Sequence, residues 1–282
     1  MYGRRRALKR KTFRGLAHTY AALVFTFIYI PVLVMVLFSF NDQHINYYWN
    51  GFTLQWYEKL FTNPAYLENL VTTLIIALAS TVISVLVGTL GAYGLTRFEF
   101  KLKKAVSTAV YIPIIVPEII LAISLLMLFD SVNIPLGYPA MILGHCTFCI
   151  PFVIVTVRGR LAGMDAACEE ASMDLGANRT TTFLRVTLPM IMPGVVSGAF
   201  LSFTLSLDDV IISNFVSGPA TTTLPVKILS MAKMGLSPEI NALTTIMILV
   251  VLAGMALNSA VQARWKGPGA HSSHKDKGGE KS

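Results

Sequence analysis

The strongest constraint on this chain is a series of six apolar stretches, each long enough to cross a lipid bilayer as a helix. A helix needs about 20 predominantly apolar residues to span the hydrocarbon core. The six stretches lie at approximately residues 19–40, 68–96, 105–130, 138–158, 188–212 and 239–263. Since only 13% of the 282 residues are charged, the sequence predicts an all-α integral membrane protein with six transmembrane helices.

The distribution of positive charge predicts the orientation of these spans. Twenty of the 23 Lys and Arg residues lie before span 1, between spans 2 and 3, between spans 4 and 5, or after span 6. The other three are Lys59, Lys227 and Lys233. Because cytoplasmic loops carry an excess of Lys and Arg, both termini are expected in the cytoplasm. The net charge of +8 is therefore a topology signal, and no nucleic-acid partner is expected.

The two ends of the chain differ in composition from the spans. Residues 1–18 form a basic cytoplasmic segment, and the apolar run after them is too long for a signal peptide and lacks an A-x-A-like cleavage site. We therefore expect an uncleaved first span. The tail, residues 265–282, is rich in Gly, Ser, Lys and His and is expected to be disordered. Residues 19–264 are then one six-span domain.

Two external segments have distinct features. Loop 1, residues 41–67, contains the aromatic residues Tyr47, Tyr48, Trp49, Trp56 and Tyr57. Such side chains suit a membrane interface, so we favour interfacial anchoring over direct contact with a partner. Residues 226–234 form an apolar segment between Gly and Pro breakers. We expect a short surface or re-entrant helix there.

The internal loop 159–187 is too long for a simple turn and is predicted to form two short helices. Asp165 can cap the first helix, and Asn178 can cap the second. Gly176 follows the end of the first helix, at a position where left-handed backbone favours glycine. The second helix runs toward span 5. A rigid helical elbow at about residues 165–185, on the cytoplasmic face, indicates a docking element for a partner protein.

This elbow resembles the signature of inner-membrane permeases of ABC importers. The matching residues are Glu170-Ala171-Ser172, Gly176 six positions after the Glu, and Val186-x-Leu188-Pro189. Ser172 and Val186 stand where Ala and Ile are common. Nearly the whole chain is similar to the second permease subunit of spermidine/putrescine importers. The similar segments are Ser39-Phe40-Asn41, Trp56-Tyr57, and residues 145–149, 202–209 and 237–243.

The resemblance implies a type I ABC importer permease fold in a bacterial inner membrane. In that family the elbow is a coupling helix, so Glu170, Ala171 and Gly176, together with Leu188 and Pro189, are implied to be the ATPase-coupling site. The implied partners are a cytoplasmic ATPase dimer, a second homologous permease, an external (periplasmic) substrate-binding protein and membrane lipids. The sequence contains no G-x-x-x-x-G-K-[ST] pattern. We therefore expect a transport subunit, not an enzyme, and no cofactor.

Three carboxylates are candidates for the pathway of a cationic substrate. Pro113 and Pro117 should break span 3, with Pro117 at the first position of a half-helix that begins near Glu118. The helix dipole favours a carboxylate there by about 0.3–1 kcal/mol, whereas a charge at mid-membrane costs about 2.5–3.5 kcal/mol. A functional role for Glu118 is therefore favoured. Asp208 and Asp209, near the external end of span 5, either serve the substrate or a gate, or are solvated charges at the membrane edge.

Two further patterns are better explained by packing. Small residues repeat every four positions in span 5, at Gly194, Gly198, Ser202 and Ser206, as is typical of close helix packing; a substrate groove is less favoured. His145 and Cys149 lie one helical turn apart, but the sequence offers no third ligand on that face, so no metal site is expected.

The substrate class follows from chemistry and from the resemblance together. A polyamine carries two or more ammonium groups, so its pathway needs carboxylates and aromatic faces. The alternatives left open are an ABC permease for an iron complex, thiamine or a phosphonate, and an intramembrane enzyme or a channel. Asp208 and Asp209 are neighbours on one helix and cannot face each other as a catalytic pair, and a homomeric channel would not need the elbow.

Overall fold

The computed structural model describes residues 2–43, 48–234 and 238–265. Within these ranges the chain folds into helices, apart from loops and an isolated β-bridge between Asn41 and Phe52. It divides into two compact units: Met1–Asn63 with Ser230–Ile248, and Pro64–Leu229 with Leu249–Ser282. Both candidate sites lie in the larger unit.

The helices follow the predicted order of spans. In chain order they are α1 (Tyr2–Phe38), α2 (Gln55–Thr62), α3 (Pro64–Arg97), α4 (Lys103–Ala109), α5 (Ile112–Ile115), α6 (Glu118–Ser131), α7 (Tyr138–Ala162), α8 (Ala167–Asp174), α9 (Arg179–Thr182), α10 (Leu188–Leu207), α11 (Ile211–Val216), α12 (Leu224–Met234) and α13 (Pro238–Trp265). Among the described residues, five helical segments are long and apolar enough to cross a membrane, and there are six spans when the bent pair Lys103–Ile115 and Glu118–Ser131 is counted as one. The prediction of an all-α protein with six spans is confirmed.

The third span is broken at Pro117, as predicted, whereas Pro113 lies in the first turn of α5. The segment Lys103–Ile115 meets Glu118–Ser131 at an angle of 110°. Val116 is extended, with φ −67° and ψ 133°, because the ring of a following proline disfavours helical backbone. Pro117 is extended as well, so it precedes α6 as the N-cap residue, and Glu118 is the first helical residue. The half-helix therefore begins one residue later than the sequence predicted.

Helices α3, α7 and α10 pack closely in the larger unit. A Cβ added to Gly194 would lie 2.8 Å from the Cβ of Arg160 in α7, and one added to Gly88 in α3 would lie 2.7 Å from Val153. Gly198 also faces Val153. The small-residue stripe of span 5 thus serves helix packing, as the sequence predicted.

A second apolar cluster joins α6 and α11 to α7. It includes Leu125 and Phe129 from α6, Met141 from α7, and Ile212 and Val216 from α11. Because these side chains are buried together, α6 and α11 both pack against α7. Glu118 is the first residue of α6, and Asp208 and Asp209 lie in the turn before α11.

In the smaller unit, loop 1 differs from the prediction. Trp56 is 1% exposed, and its Nε1 donates to the carbonyl of Asn41 at 2.7 Å. Asn41 is buried and also bonds the backbone of Tyr48 and Asn50 through its side chain. Trp56 is therefore a buried core residue of the loop and not an interfacial anchor, whereas Tyr48 and Trp49 are exposed.

Other expectations lie at the edges of the described ranges. The apolar segment 226–234 is helical, within α12. Of the tail 265–282 that was predicted to be disordered, Trp265 is the last residue of α13, and residues 266–282 lie outside the described residues, as does Tyr47. The side chains of residues 1–15 are not described. The expectations for Tyr47, for the N-terminal segment and for the tail stay predictions.

Candidate functional site

The break in the third span opens onto a cavity of about 580 Å³. Its wall contains Glu118 from the first turn of α6, and Asp208 and Asp209 from the turn between α10 and α11. Phe148 and Phe152, one helical turn apart on α7, contribute aromatic surface. Glu118 and Asp208 are 90 positions apart in the sequence. The fold brings them, together with Asp209, to one cavity.

Asp209 is buried and held by several groups. It is 5% exposed, and its carboxylate accepts the backbone N–H groups of Ile212 and Ser213 at 3.2 and 2.7 Å. These donors belong to the first turn of α11, where a negative charge is favoured. Asp209 therefore caps the helix that follows span 5. The interpretation of Asp209 as a solvated charge is wrong.

His145 connects Asp209 to the packed helices. Its ring is fully buried, with Nε2 3.3 Å from Asp209 Oδ2 and 3.0 Å from the Ser213 hydroxyl. Nδ1 lies 2.6 Å from the hydroxyl of Ser206, which is in turn 2.9 Å from Ser80 on α3. This network joins α3, α7, α10 and α11. Among the described residues no group of three or more His, Cys, Asp or Glu side chains could hold a metal ion.

Glu118 and Asp208 are more accessible than Asp209. Both are exposed at the cavity, and Glu118 lies close enough to Asp209 for their carboxyls to interact. Asp208 ends α10, where the helix dipole opposes its charge. An arrangement of two accessible carboxylates beside a buried third one can bind a ligand that carries positive charge.

The elbow forms two short helices, as predicted, but the N-cap residue of α8 is Ala166, and Asp165 precedes it by one position. The Asp165 carboxylate accepts the N–H of Ala167 at 3.0 Å, and the Asn178 side chain accepts the N–H of Thr181 at 2.8 Å. Gly176 has a φ of +91°, the left-handed conformation that favours glycine. Residues 183–187 then form a single π-helical turn that leads into α10.

The sequence-predicted elbow residues have two different environments. Glu170, Ala171 and Gly176 are exposed. Leu188 packs against the α3–α7–α10 core, and Pro189 is exposed in the first turn of α10. The first three are therefore accessible, while Leu188 belongs to the core of the spans.

Sequence reasoning missed Glu169 and the partners of His145. Glu169 is 7% exposed; its Oε2 lies 2.9 Å from Arg97 Nε, and its Oε1 accepts the Thr187 hydroxyl at 2.7 Å. Neither partner is near it in sequence. For Asp209 a signal was available, since an Asp three residues before the interior of an apolar run is a typical helix start.

Comparison with known proteins agrees with this architecture. Residues 82–266 match the family described as the binding-protein-dependent transport system inner membrane component. The chain is 42% identical over 246 residues to the spermidine/putrescine transport system permease protein PotC of Haemophilus influenzae, covering 87% of this chain and 96% of that protein. It is 40% identical over 233 residues to the putrescine transport system permease protein PotI of Escherichia coli, covering 80% and 83%.

A solved structure with the same fold is a bacterial ABC transporter involved in the import of the acidic polysaccharide alginate. It superposes with a TM-score of 0.73 and covers 91% of this chain and 97% of that chain. The sequence identity is 15%, so this likeness establishes the arrangement of helices and not the substrate.

Proposed function

Since this chain belongs to the inner-membrane components of binding-protein-dependent transport systems, and within them to the spermidine/putrescine permeases, we propose that it lines a pathway through which an importer carries polyamines into the cell. The chain is an inner-membrane transport subunit of an ABC importer. A separate ATPase provides the energy. The remaining partners are a second permease of the same family and an external polyamine-binding protein.

The observation that supports this substrate is the cavity at the break in the third span. It combines Glu118 and Asp208 with the rings of Phe148 and Phe152. Ammonium groups bind carboxylates through charge-assisted hydrogen bonds and aromatic faces through cation–π attraction. A polyamine needs both, because its charges are separated by methylene segments. An anionic substrate would be repelled by the same wall.

The elbow has the complementary role of contact with the ATPase. Glu170, Ala171 and Gly176 are exposed on the face that the charge distribution assigns to the cytoplasm. We assign the ATPase contact to these three residues. Leu188 and Pro189 pass its movement to α10, since they begin that helix.

The test is uptake of radiolabelled spermidine and putrescine by cells that lack their own polyamine importer and receive this chain with its partners. Glu118→Gln keeps the size of the side chain and removes its charge. We expect uptake to fall about tenfold or more, the equivalent of one hydrogen bond to a charged group. Membrane levels of the complex should stay equal.

The matched control is Asp130→Asn, which removes an exposed carboxylate near the far end of the same helix. Asp130 does not line the cavity, so its loss should leave uptake unchanged. Equal effects of the two substitutions would contradict a specific role for Glu118. If the assembled wild-type complex took up neither polyamine, the polyamine assignment would be wrong.

A further inference from the structure

Two adjacent glutamates on α8 have opposite environments. Glu170 is exposed, and within the described part of the chain its side chain makes no hydrogen bond or ion pair. Glu169 is 7% exposed and both of its carboxylate oxygens have partners. A buried carboxylate without partners would be strongly disfavoured, so these contacts are required by its burial.

The partners of Glu169 belong to two different spans. Arg97 is the last residue of α3, and its Nε lies 2.9 Å from Glu169 Oε2. Thr187 is fully buried, directly precedes α10, and donates its hydroxyl proton to Glu169 Oε1 at 2.7 Å. The carboxylate of Glu169 therefore connects α8 to the end of α3 and to the start of α10.

Two other contacts lie near Glu169, but neither connects α8 to a span. The Ser172 and Thr182 hydroxyls are 3.2 Å apart and connect α8 to α9. The rings of Tyr93 and Phe183, with centroids 4.7 Å apart, connect α3 to the π-helical turn. Of these contacts, only those of Glu169 connect α8 to both spans. If its side chain rotated, at least one of the two contacts would break.

We propose that Glu169 is a positioning residue that makes the coupling helix α8 move as one body with α3 and α10. The inference rests on the proposed function, in which the neighbouring Glu170 contacts the ATPase. Glu170 then receives the displacement, and Glu169 transmits it to the spans through Arg97 and Thr187. Without Glu169, α8 would still move with the ATPase, but its movement would not be transmitted to α3 and α10.

The test measures how many spermidine molecules the complete complex imports into liposomes for each ATP hydrolysed. Thr187→Val removes the donating hydroxyl at nearly constant shape, and Glu169→Gln removes the charge that attracts Arg97. We expect Thr187→Val to lower this ratio about tenfold, as for loss of one hydrogen bond to a charged group. Glu169→Gln, which loses the ion pair with Arg97, should lower it as well. The ATPase should still co-purify. Thr187→Ser keeps the hydroxyl and should restore the wild-type ratio.

A third variant separates this inference from the proposed function. Glu170→Lys reverses the charge of the exposed neighbour and should release the ATPase from the purified complex. If the ATPase stays bound and uptake is unchanged, the docking role of α8 is wrong. If Glu170→Lys releases the ATPase but Thr187→Val and Glu169→Gln both keep the wild-type ratio, only the positioning role of Glu169 is overturned.

Discussion

The elbow and the cavity are each built around a pair of adjacent carboxylates, Glu169-Glu170 and Asp208-Asp209. In each pair one member is buried and bonded to the protein, and the other is exposed. The buried members fix the geometry, so the exposed members can be presented to a partner or a substrate without losing their own solvation. Adjacent acidic residues in this chain are therefore not interchangeable.

The two buried carboxylates differ in what compensates their charge. Glu169 faces the full positive charge of Arg97, although the Nε–H is not aligned for a hydrogen bond at 2.9 Å. Asp209 relies on two backbone N–H groups, the Ser213 side chain and His145. A single substitution can remove the cation at the elbow, but no single substitution removes all the donors around Asp209. A single substitution should therefore lower the free energy of unfolding more at the elbow than at the cavity.

The largest expected effect is that of Arg97→Met, which leaves Glu169 buried without its cation. Breaking a buried ion pair from one side costs about 3–5 kcal/mol. Because the Arg97 side chain is 22% exposed, the free energy of unfolding of the purified permease should fall by about 3 kcal/mol, the lower end of that range. The double variant Arg97→Met/Glu169→Met should recover most of the loss. Denaturant unfolding in detergent measures both.

Arg179→Met is the control for this prediction. Arg179 is exposed and lies over the Phe98 ring at 5.4 Å, a contact that contributes about 0.5–1 kcal/mol. Equal losses for the two arginines would show that Glu169 does not depend on Arg97.

Asp209→Asn should have an intermediate effect on stability. The amide can still accept one of the two N–H groups but loses the negative charge, so we expect the free energy of unfolding to fall by about 1.5–3 kcal/mol. Asp208→Asn should change it by less than about 0.5 kcal/mol, as for most exposed positions, yet lower spermidine uptake. A larger stability loss for Asp208→Asn would reverse the roles of the two residues.

The smallest expected effect tests the backbone of the elbow. Gly176→Ala places a side chain at φ +91° and should lower the free energy of unfolding by about 1–2 kcal/mol. Gly163, in the same loop, has φ −89°. Gly163→Ala should be neutral or stabilising by about 0.4–1 kcal/mol. Equal behaviour of the two variants would show that the elbow does not depend on a left-handed glycine.

Much of this architecture could be predicted because the controlling signals are local. The lengths of the apolar stretches predicted the number of spans, and the missing N–H of Pro117 predicted the break in the third span. Asp165, Gly176 and Asn178 each act on backbone within three residues, so the elbow could be predicted without knowledge of the packing.

The buried polar contacts could not be predicted in the same way. Glu169 meets Arg97 and Thr187 only after α3 and α10 have packed, and His145 meets Ser206, 61 positions away, for the same reason. Nothing in the local sequence distinguishes Glu169 from Glu170. Trp56 was assigned to the interface because its residue type suits both locations, and its bond to Asn41 requires the folded loop.

The two prolines of the third span also affect the backbone of the cavity. In an unbroken helix the carbonyl of Pro113 would accept the amide N–H of residue 117, but residue 117 is a proline and has none. Pro113 itself is one of the residues that line the cavity. Proline at position 117 thus has two consequences for the third span, its bend of 110° and a main-chain carbonyl at Pro113 that residue 117 cannot satisfy.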